Sequence, residues 1–384
     1  MKNAIKVTIL VLLCLVLAAE VVFVAGMETG KLSLEMLGLA EPTQAPTEAP
    51  TEVPTELPTV PPTTVPPTTV PPTEPPQPEH FLLSFGGDCT FGSTAAKWKT
   101  KTSFITMVGD DYDYPFSNVV EYLKNDDFTI VNFEGVLAEG GKPANKRFTF
   151  RGPLAYTNIL TGSSVEAVTL ANNHSRDFGE EGYASTKNAL DQAGVTYVEK
   201  DSSRIYTTES GLTIGLYAGA FDIDVKDMAR EIQLMRQNGA ELIICAFHWG
   251  EEGKFTLTKS QQTYAKAAID VGADIVYGHH PHVLQRIEHY KDKVIMYSTG
   301  NFSFGGNNYP KDFDTALIQQ EVIRDVDGTI RLGEMTIIPC SVGSKKGFND
   351  FKPTPLEEGY EAYNRVLSKL DGSFDGPDFV VNYG

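Results

Sequence analysis

The sequence is poor in cysteine and in positive charge, and each shortage excludes a class of protein. Only four cysteines occur among 384 residues, and no two form a Cys-x-x-Cys pair, so neither a thiolate zinc site nor a disulfide framework is indicated. The 50 acidic residues outnumber the 32 basic ones, for a formal net charge of −18. This charge argues against nucleic acid and against an anionic membrane surface as the main partner. An anionic substrate that is held locally by a cation is compatible with it.

Long apolar runs are also scarce, and the one that stands out lies at the start of the chain. Residues 7–26 are mostly apolar, follow Lys2 and Lys6, and contain Glu20 as their one charge. This length suits a single membrane span, and the two lysines predict a cytoplasmic amino terminus with everything else outside. We therefore predict that residues 1–28 are a single-pass cell-membrane anchor and that the rest is extracellular. A cleaved signal peptide, with secretion of the rest, is the alternative.

Residues 29–79 are predicted to be a disordered linker rich in proline and threonine. The part from 41 to 79 repeats a short theme, holds 14 of the 23 prolines and contains no lysine or arginine. Such a composition has little apolar surface to bury. We expect a stiff, polyproline-like spacer that reaches on the order of 100 Å.

From residue 80 to residue 384, short apolar runs alternate with helical stretches, which predicts one α/β domain. The predicted strands cover residues 81–87, 128–133, 165–171, 213–218, 241–247, 274–278 and 294–298. The predicted helices cover residues 115–125, 181–193, 225–238, 259–271 and 357–370.

Polar side chains follow most of the predicted strands at the point where each strand ends. In order along the chain they are Asp88, Glu134, Asn172, Asn173, His174, His248, His279, His280, His282 and Asn301. In open α/β sheets, ligands bind beyond the carboxyl ends of the strands. The sequence therefore predicts that these residues, distant along the chain, meet at one edge of the fold.

Carboxylates and several histidines at one edge are typical of a site for a divalent transition metal. Imidazole and carboxylate ligands together suit Mn, Zn or Fe(II) better than Ca or Mg. In His280-Pro281-His282 the proline stiffens the turn, so the two rings are able to approach one ion or one each of two neighbouring ions. We predict a site for one or two such ions.

The motifs at these strand ends also carry a resemblance to a known family. They are GGDCTFG (86–92), NFEG (132–135), ANNHSRDFGEEG (171–182), HWGEE (248–252), GHHPHV (278–283), STGNFSFGG (298–306) and GFNDFKPTPL (347–356). Their order and spacing resemble the CapA proteins of poly-γ-glutamate or capsule synthesis, which are similar to the calcineurin-like metallophosphatases. The resemblance implies a four-layer α/β/β/α sandwich and a role in assembling an envelope polymer outside the membrane.

The resemblance also implies roles for individual residues. The implied metal ligands are Asp88, Glu134, Asn173, His248, His280 and His282. His174 resembles the histidine that protonates a leaving group, and we predict that Asp177 orients it; capping of the following helix is the alternative for Asp177. His279 has no fixed counterpart in the family and receives no role.

Two further residues are predicted to contact substrate. Asn301 lies in the glycine-rich STGNFSFGG, which is a candidate anion cradle, with a tight turn at the wall of the site as the alternative. Trp249 is a candidate for stacking on substrate, with a core position as the alternative. Glu251 and Glu252, which follow it, are predicted either to support the site or to be solvated.

The sequence departs from the metallophosphatase pattern at two motifs. Thr90 stands where the first motif has histidine, and Asn132-Phe133-Glu134 replaces a Gly-Asp-x-x-Asp motif. One metal position is thereby weakened, which leaves three functions open. The first is a metal-dependent hydrolase, phosphoesterase-like in chemistry, that acts on an envelope polymer. The second is a non-catalytic subunit that binds or exports the polymer, and the third is a transferase of polymer attachment.

The partners follow from the same reasoning. We expect an anionic envelope polymer such as poly-γ-glutamate, together with membrane-bound subunits of a polymer synthase. The membrane itself is a partner through the amino-terminal span, and nucleic acid is not expected to be one, given the net charge.

Overall fold

The computed structural model of the chain describes residues 76–380. The first strand begins at Glu79, next to the boundary at residue 80 that the end of the proline-rich segment predicts. The predicted anchor (1–28) and nearly all of the predicted linker (29–79) lie outside the described residues. Across residues 76–380, no helix combines the length and the apolar character that crossing a bilayer requires.

Sixteen strands occur within residues 76–380. They are β1 (Glu79–Thr90), β2 (Phe128–Phe133), β3 (Val136–Leu137), β4 (Arg151–Gly152), β5 (Ala167–Thr169), β6 (Thr196–Val198), β7 (Ser202–Thr207), β8 (Thr213–Ala220), β9 (Leu242–His248), β10 (Ile275–His279), β11 (Leu284–Tyr290), β12 (Lys293–Thr299), β13 (Asn301–Phe304), β14 (Asp314–Arg324), β15 (Ile330–Ser341) and β16 (Thr354–Pro355). The larger sheet has the order β16-β15-β14-β1-β2-β5-β6, with β13 paired to β1. The smaller sheet has the order β11-β12-β10-β9-β8-β7, and β3 pairs with β4.

Seven α-helices occur in the same part of the chain. They are α1 (Phe104–Val108), α2 (Val120–Leu123), α3 (Thr157–Gly162), α4 (Gly179–Ala193), α5 (Val225–Gln237), α6 (Lys259–Asp270) and α7 (Glu361–Asp371). The ends of the longer helices follow local chemistry. Helix α6 begins with a capping box between Thr258 and Gln261, which satisfies two backbone N–H groups. Helix α4 ends at Gly194, whose φ of 73° suits glycine at a helix terminus.

The two large sheets pack face to face around a shared apolar core. Their central strands are parallel and buried on both faces, which explains why they are written as continuous apolar runs such as LIICAF (242–247). Both sheets contribute to the core between them, the larger with Leu83, Phe85 and Ile130 and the smaller with Leu216, Ile244 and Ile275.

Helices cover the outer face of each sheet. On the larger sheet, Leu160 of α3 and Leu190 of α4 share a buried cluster with Val131 of β2. On the smaller sheet, Met228 of α5 and Ala265 of α6 lie in a second cluster with residues of β9. The order of layers is therefore α/β/β/α, as the sequence motifs predict.

The structure differs from the predicted elements at one helix and at several strands, of which the two longest are β14 and β15. The helix predicted over 115–125 is a 3₁₀ turn followed by the short α2. The helical path is interrupted at Val119, whose φ of −123° is not helical. Strands β14 and β15 were not predicted, because neither contains a long apolar run: β14 carries the buried amides of Gln319 and Gln320, and β15 alternates between exposed and half-buried positions.

Candidate metal centre

Strand register brings the predicted polar residues together. Asp88 of β1 is opposite Asn132 of β2 in the larger sheet, and His279 of β10 is opposite His248 of β9 in the smaller sheet. The packing of the two sheets then joins these pairs, since Nδ1 of His279 lies 3.1 Å from Oδ1 of Asp88. The shared edge of polar residues that the sequence predicts is present.

Asp88, Glu134 and His248 form what we name the first ligand triad. One possible ligand atom of each residue lies within 4.8 Å of the others, and all three side chains are buried. Nδ1 of His248 lies 3.5 Å from Oε1 of Glu134. Oδ1 of Asn173 lies 2.8 Å from Nε2 of His248. Four of the six predicted metal ligands are thus in one cluster.

Glu252, His280 and His282 form the second ligand triad, whose ligand atoms also lie within 4.8 Å of one another. The φ angles of His280 and His282 are 96° and 56°, a conformation that costs a residue with a side chain of order 1–3 kcal/mol and is concentrated at functional sites. The ring centroids of His248 and His280 are 4.6 Å apart, so the two triads adjoin. All six predicted ligands therefore lie in one site.

The donor atoms fit a divalent metal ion. Among the described residues, Oε2 of Glu134 and Nδ1 of His280 are buried and have no hydrogen-bond partner. A buried polar atom without a partner costs free energy that a bound cation would recover. Carboxylate oxygen combined with imidazole nitrogen is the donor set of Mn, Zn and Fe(II) sites. These two unpartnered atoms thus indicate that the site is suited to hold a cation.

The electrostatics of the first triad also favour a cation. Burial raises the pKa of the Glu134 carboxyl well above its usual range, and the neighbouring Asp88 charge raises it further. Burial alone would raise the pKa of Asp88 too, but hydrogen bonds from His279 and His282 outweigh it and hold that pKa well below its usual range. One carboxyl is thus stabilised as an anion and its neighbour is not. A bound cation would favour the anionic form of both.

The two histidines of the turn respond in opposite directions. Burial lowers the pKa of His280 to about 3, and the nearby His282 charge adds to that effect. Burial also acts to lower the pKa of His282, but Glu134 and Asp88 outweigh it and raise the pKa to about 9. Neutral imidazole is the form that binds a metal, so a bound ion would displace the proton of His282.

His174 is held in place next to the triads. Its Nδ1 lies 2.9 Å from Oδ2 of Asp177, and Asp177 is fully buried and forms an ion pair with Lys146. Lys146 Nζ also donates to the backbone oxygen of Asn173 over 2.7 Å. Within the described residues, α4 has Phe178 at its N-cap and no side-chain capping bond. The geometry therefore supports orientation of His174 by Asp177 rather than helix capping.

The placement of Trp249 does not fit a substrate-stacking role. Its side chain is 1% exposed, it packs on Phe247 with ring centroids 4.8 Å apart, and its Nε1 donates to the backbone oxygen of Tyr297. Because neither face of this ring is accessible, it cannot stack on a substrate. The predicted stacking role is therefore wrong, and Trp249 is a core residue. Asn301 is also buried, and its Oδ1 lies 2.9 Å from Nδ1 of His282, which makes it a residue that positions a ligand.

Four residues of the site received no definite role from the sequence. His279 and Glu252 were expected near the site, as a strand-end residue and as a possible supporting residue, whereas Asn132 and Lys146 were not predicted to belong to it. His279 is fully buried against Asp88, and Asn132 donates from Nδ2 to both Asp88 and Glu134, over 2.8 and 3.0 Å. Glu252 completes the second triad, and Lys146 holds Asp177. His279 and Asn132 do lie at strand ends, which was a usable signal; Lys146 lies in the coil before β4 and has no such signal.

The chain is similar to known proteins of bacterial capsule synthesis. The family model described as "Bacterial capsule synthesis protein PGA_cap" matches residues 82–220 and 199–306. The chain is 32% identical over 288 residues to the capsule biosynthesis protein CapA of Bacillus anthracis, covering 67% of each chain. It is 28% identical over 283 residues to the PGA biosynthesis protein CapA of Bacillus subtilis strain 168, covering 67% of this chain and 71% of that protein.

Among solved structures, the chain is similar to the NAD nucleotidase of Haemophilus influenzae with a TM-score of 0.37 and 11% identity, over 78% of this chain and 57% of that one. A likeness of this size says nothing about activity. The family match, in contrast, covers all six residues of the two triads. On that match and on the similarity to the Bacillus proteins, this chain belongs to the bacterial capsule synthesis (PGA_cap) family.

Proposed function

We propose that this chain is a metal-dependent hydrolase of an anionic envelope polymer, with poly-γ-glutamate as the first candidate. The observation that carries the proposal is the Lys146–Asp177–His174 arrangement directly beside two ligand triads. A protein that only binds polymer has no need for a buried, oriented histidine next to six metal-ligand side chains. The names of the Bacillus relatives, which concern capsule and PGA biosynthesis, support the choice of polymer.

The residues have distinct tasks in this proposal. The triads would hold one or two ions of Mn, Zn or Fe(II), which supply an acidified water and polarise the scissile bond. Asn173 contacts His248, and Asn301 fixes the ring of His282. The short contact from Nδ1 of His174 to Asp177 directs the other ring nitrogen, Nε2, away from the carboxylate. Nε2 is then the atom that transfers a proton to the leaving group.

The protonation state of His174 bears on that task. Burial lowers the pKa of His174, and the Lys146 charge opposes the effect of Asp177. The imidazole therefore rests in its neutral form at neutral pH and must collect the proton that it donates. A water that enters the site is the natural source of that proton, so His174 serves first as acceptor and then as donor.

A second candidate is a polymer-binding or export subunit without catalysis. Thr90, which stands in place of the first-motif histidine, is fully buried, and its Oγ1 has no hydrogen-bond partner among the described residues. Strand β1 therefore contributes one ligand to the site, Asp88, where the metallophosphatase pattern has two. This observation favours a weaker metal position, which would suit a subunit that has lost its chemistry.

One experiment separates the two candidates. The full-length protein is loaded with Mn²⁺ or Zn²⁺, its metal content is measured, and it is incubated with γ-linked glutamate oligomers. We expect cleavage by the wild type, loss of cleavage with retained metal in His174→Ala, and no change in His289→Ala, which replaces an exposed histidine of β11. A metal-loaded wild type that binds oligomers but cleaves none of them would establish the second candidate.

We also propose that the domain works outside the cell membrane, anchored by residues 1–28 and next to the subunits that make the polymer. The support is the apolar run behind Lys2 and Lys6. Protease added to intact protoplasts should release the domain into the medium. Complete protection of the domain from that protease would contradict the proposed topology.

A further inference from the structure

One cavity of the protein lies outside the two ligand triads and is built differently from the metal centre. Its volume is about 430 Å³, and Ser93, Trp98, Lys99, Arg151 and Phe178 are among the residues that line it. The cavity lies between the segment that follows β1 and the segment around β4, which are joined by backbone hydrogen bonds between Ser93 and Arg151. The side chains that line it are distinct from those of the two ligand triads.

The guanidinium of Arg151 contacts two aromatic rings. Its Cζ lies 4.6 Å from the ring centroid of Trp98 and 5.3 Å from that of Phe178. Its Nε is buried and has no hydrogen-bond acceptor within residues 76–380. Aromatic faces hold an arginine in a fixed plane and leave its N–H groups for a ligand.

The sequence around the cavity is strongly basic, although the protein as a whole is acidic. Residues 93–108 contain three lysines and no acidic residue, and residues 140–153 contain two lysines, two arginines and no acidic residue. Of these seven cations, Lys99 and Arg151 line the cavity, and Lys146 is paired with Asp177. The whole chain carries a net charge of −18, so the two segments differ in sign from the protein as a whole. Such a local concentration of one sign attracts ligands of the opposite sign.

Two residues of the segments that line the cavity are chain neighbours of residues at the proposed catalytic group. Phe150, which precedes Arg151, packs on His174 with ring centroids 4.7 Å apart. Phe178, which lines the cavity, directly follows Asp177, the residue that orients His174. The segments that form the cavity therefore also contact His174 and Asp177.

We propose that this cavity is a carboxylate-binding subsite for an anionic polymer, in which Arg151 and Lys99 contact carboxylate groups next to the bond at the metal centre. The planar guanidinium accommodates a carboxylate through two parallel hydrogen bonds, and the exposed Lys99 adds a second positive charge. The identity of the polymer as poly-γ-glutamate rests on the proposed function, but the preference for repeated carboxylates rests on the cavity alone.

The test is equilibrium binding of a fluorescein-labelled γ-linked glutamate hexamer to the full-length protein, followed by fluorescence anisotropy. EDTA is present, so that the triads contribute no metal-bridged contact. Arg151→Gln is expected to weaken binding about tenfold, since it removes a charge-assisted pair. Lys99→Gln, at an exposed position, is expected to weaken it about threefold. An uncharged γ-linked glutamine hexamer should bind the wild type at least about tenfold more weakly than the glutamate hexamer.

Arg204→Gln is the matched control. Arg204 also lies over an aromatic ring, 5.2 Å from the centroid of Tyr197, and also lines a cavity, of about 210 Å³, but that cavity contains the carboxylate of Asp191. The Arg204→Gln substitution should leave the affinity for the glutamate hexamer unchanged. Equal weakening by Arg204→Gln would mean that overall charge, and not the subsite, controls affinity, and would overturn the proposal.

The remaining outcomes are also decisive. Wild-type affinity in both Arg151→Gln and Lys99→Gln overturns the subsite, and so does a wild type that does not bind the hexamer. If Arg151→Gln lowers the melting temperature, Lys99→Gln alone decides. Cleavage of the oligomers without the predicted affinity changes would support the proposed hydrolase and contradict the subsite. The predicted affinity changes without cleavage would support the subsite and contradict the hydrolase.

Discussion

Buried carboxylates lie at both ends of the parallel strands, but their hydrogen-bonding needs are met in different ways at the two ends. At the amino end of β10, Asp274 accepts hydrogen bonds from Arg236, Lys293 and the backbone N–H of Ile243, over 2.6, 2.6 and 2.8 Å. At the carboxyl end of β2, Glu134 faces another carboxylate, and one of its oxygens has no partner among the described residues.

The difference has a simple physical origin. The amino end of a strand exposes N–H groups, which donate to a carboxylate, and the chain supplies basic side chains there as well. The carboxyl end exposes C=O groups, which cannot donate, so an acid buried there depends on side-chain donors such as Asn132 and the histidines, or on a cation. Asp274 therefore contributes to stability by itself, whereas Glu134 is stabilised by what the site binds. Four predictions test this contrast, from the largest expected effect to the smallest.

The largest effect is expected at the turn of the second triad. His280→Ala and His282→Ala should each weaken metal binding about a hundredfold or more, because each removes one direct ligand from a site with few to spare. Titration calorimetry with Mn²⁺ or Zn²⁺ measures the affinity, and His289→Ala is the control. Wild-type metal affinity in both variants would leave the turn as a structural feature only.

The second prediction concerns the amino end. Asp274→Asn should lower the free energy of unfolding by about 2 kcal/mol, because Arg236 and Lys293 lose their shared acceptor while they keep access to water. Urea denaturation measures the change, and metal affinity should stay at the wild-type value. A matching loss of metal affinity would show that the two ends are coupled.

The third prediction concerns His279, whose Nδ1 contacts the Asp88 carboxylate. His279→Ala should retain the metal but weaken its binding about tenfold, as expected when a residue that orients a ligand is removed. His279→Gln, which keeps a hydrogen-bonding group near Asp88, should restore part of the affinity. A hundredfold loss in His279→Ala, with no rescue by glutamine, would instead indicate direct ligation.

The smallest effect is expected at Glu166, near the amino end of β5. Burial, with the charge of Asp126, raises the pKa of this carboxyl from 4.5 to about 7. The native state therefore holds the proton more tightly than the unfolded chain, so stability from the protonated group is present below about pH 4.5 and is lost as the pH rises through 7.

Glu166→Gln cannot ionise and should retain the acceptor for the backbone N–H of Thr129. It should therefore reduce the loss of stability between pH 5 and pH 8 by about 1 kcal/mol, a value that allows for partial exposure. Urea denaturation at both pH values measures this, with the exposed Glu358→Gln as the control. An unchanged pH dependence in Glu166→Gln would contradict the raised pKa.

Much of the fold and of the site could be predicted because local chemistry carries the information. The apolar runs of buried parallel strands mark β2, β8, β9 and β12, and a polar residue directly after a strand marks most of the ligands, such as Asp88 and His248. Strand β15 could not be found in this way, since its half-exposed surface has no apolar run. The core position of Trp249 could not be chosen over the stacking role, because a motif does not show which way a ring points.

The sequence by itself determined that the strands end in metal-binding residue types, that the cysteines have no framework role, and that the surface is acidic. Only the tertiary structure decided which of those residues meet. The face-to-face packing of the sheets sets His279 against Asp88, the strained turn directs His280 and His282 toward Glu252, and the segment before β4 carries Lys146 to Asp177. These contacts join residues that are far apart along the chain, and no local pattern encodes the distance between two sheets.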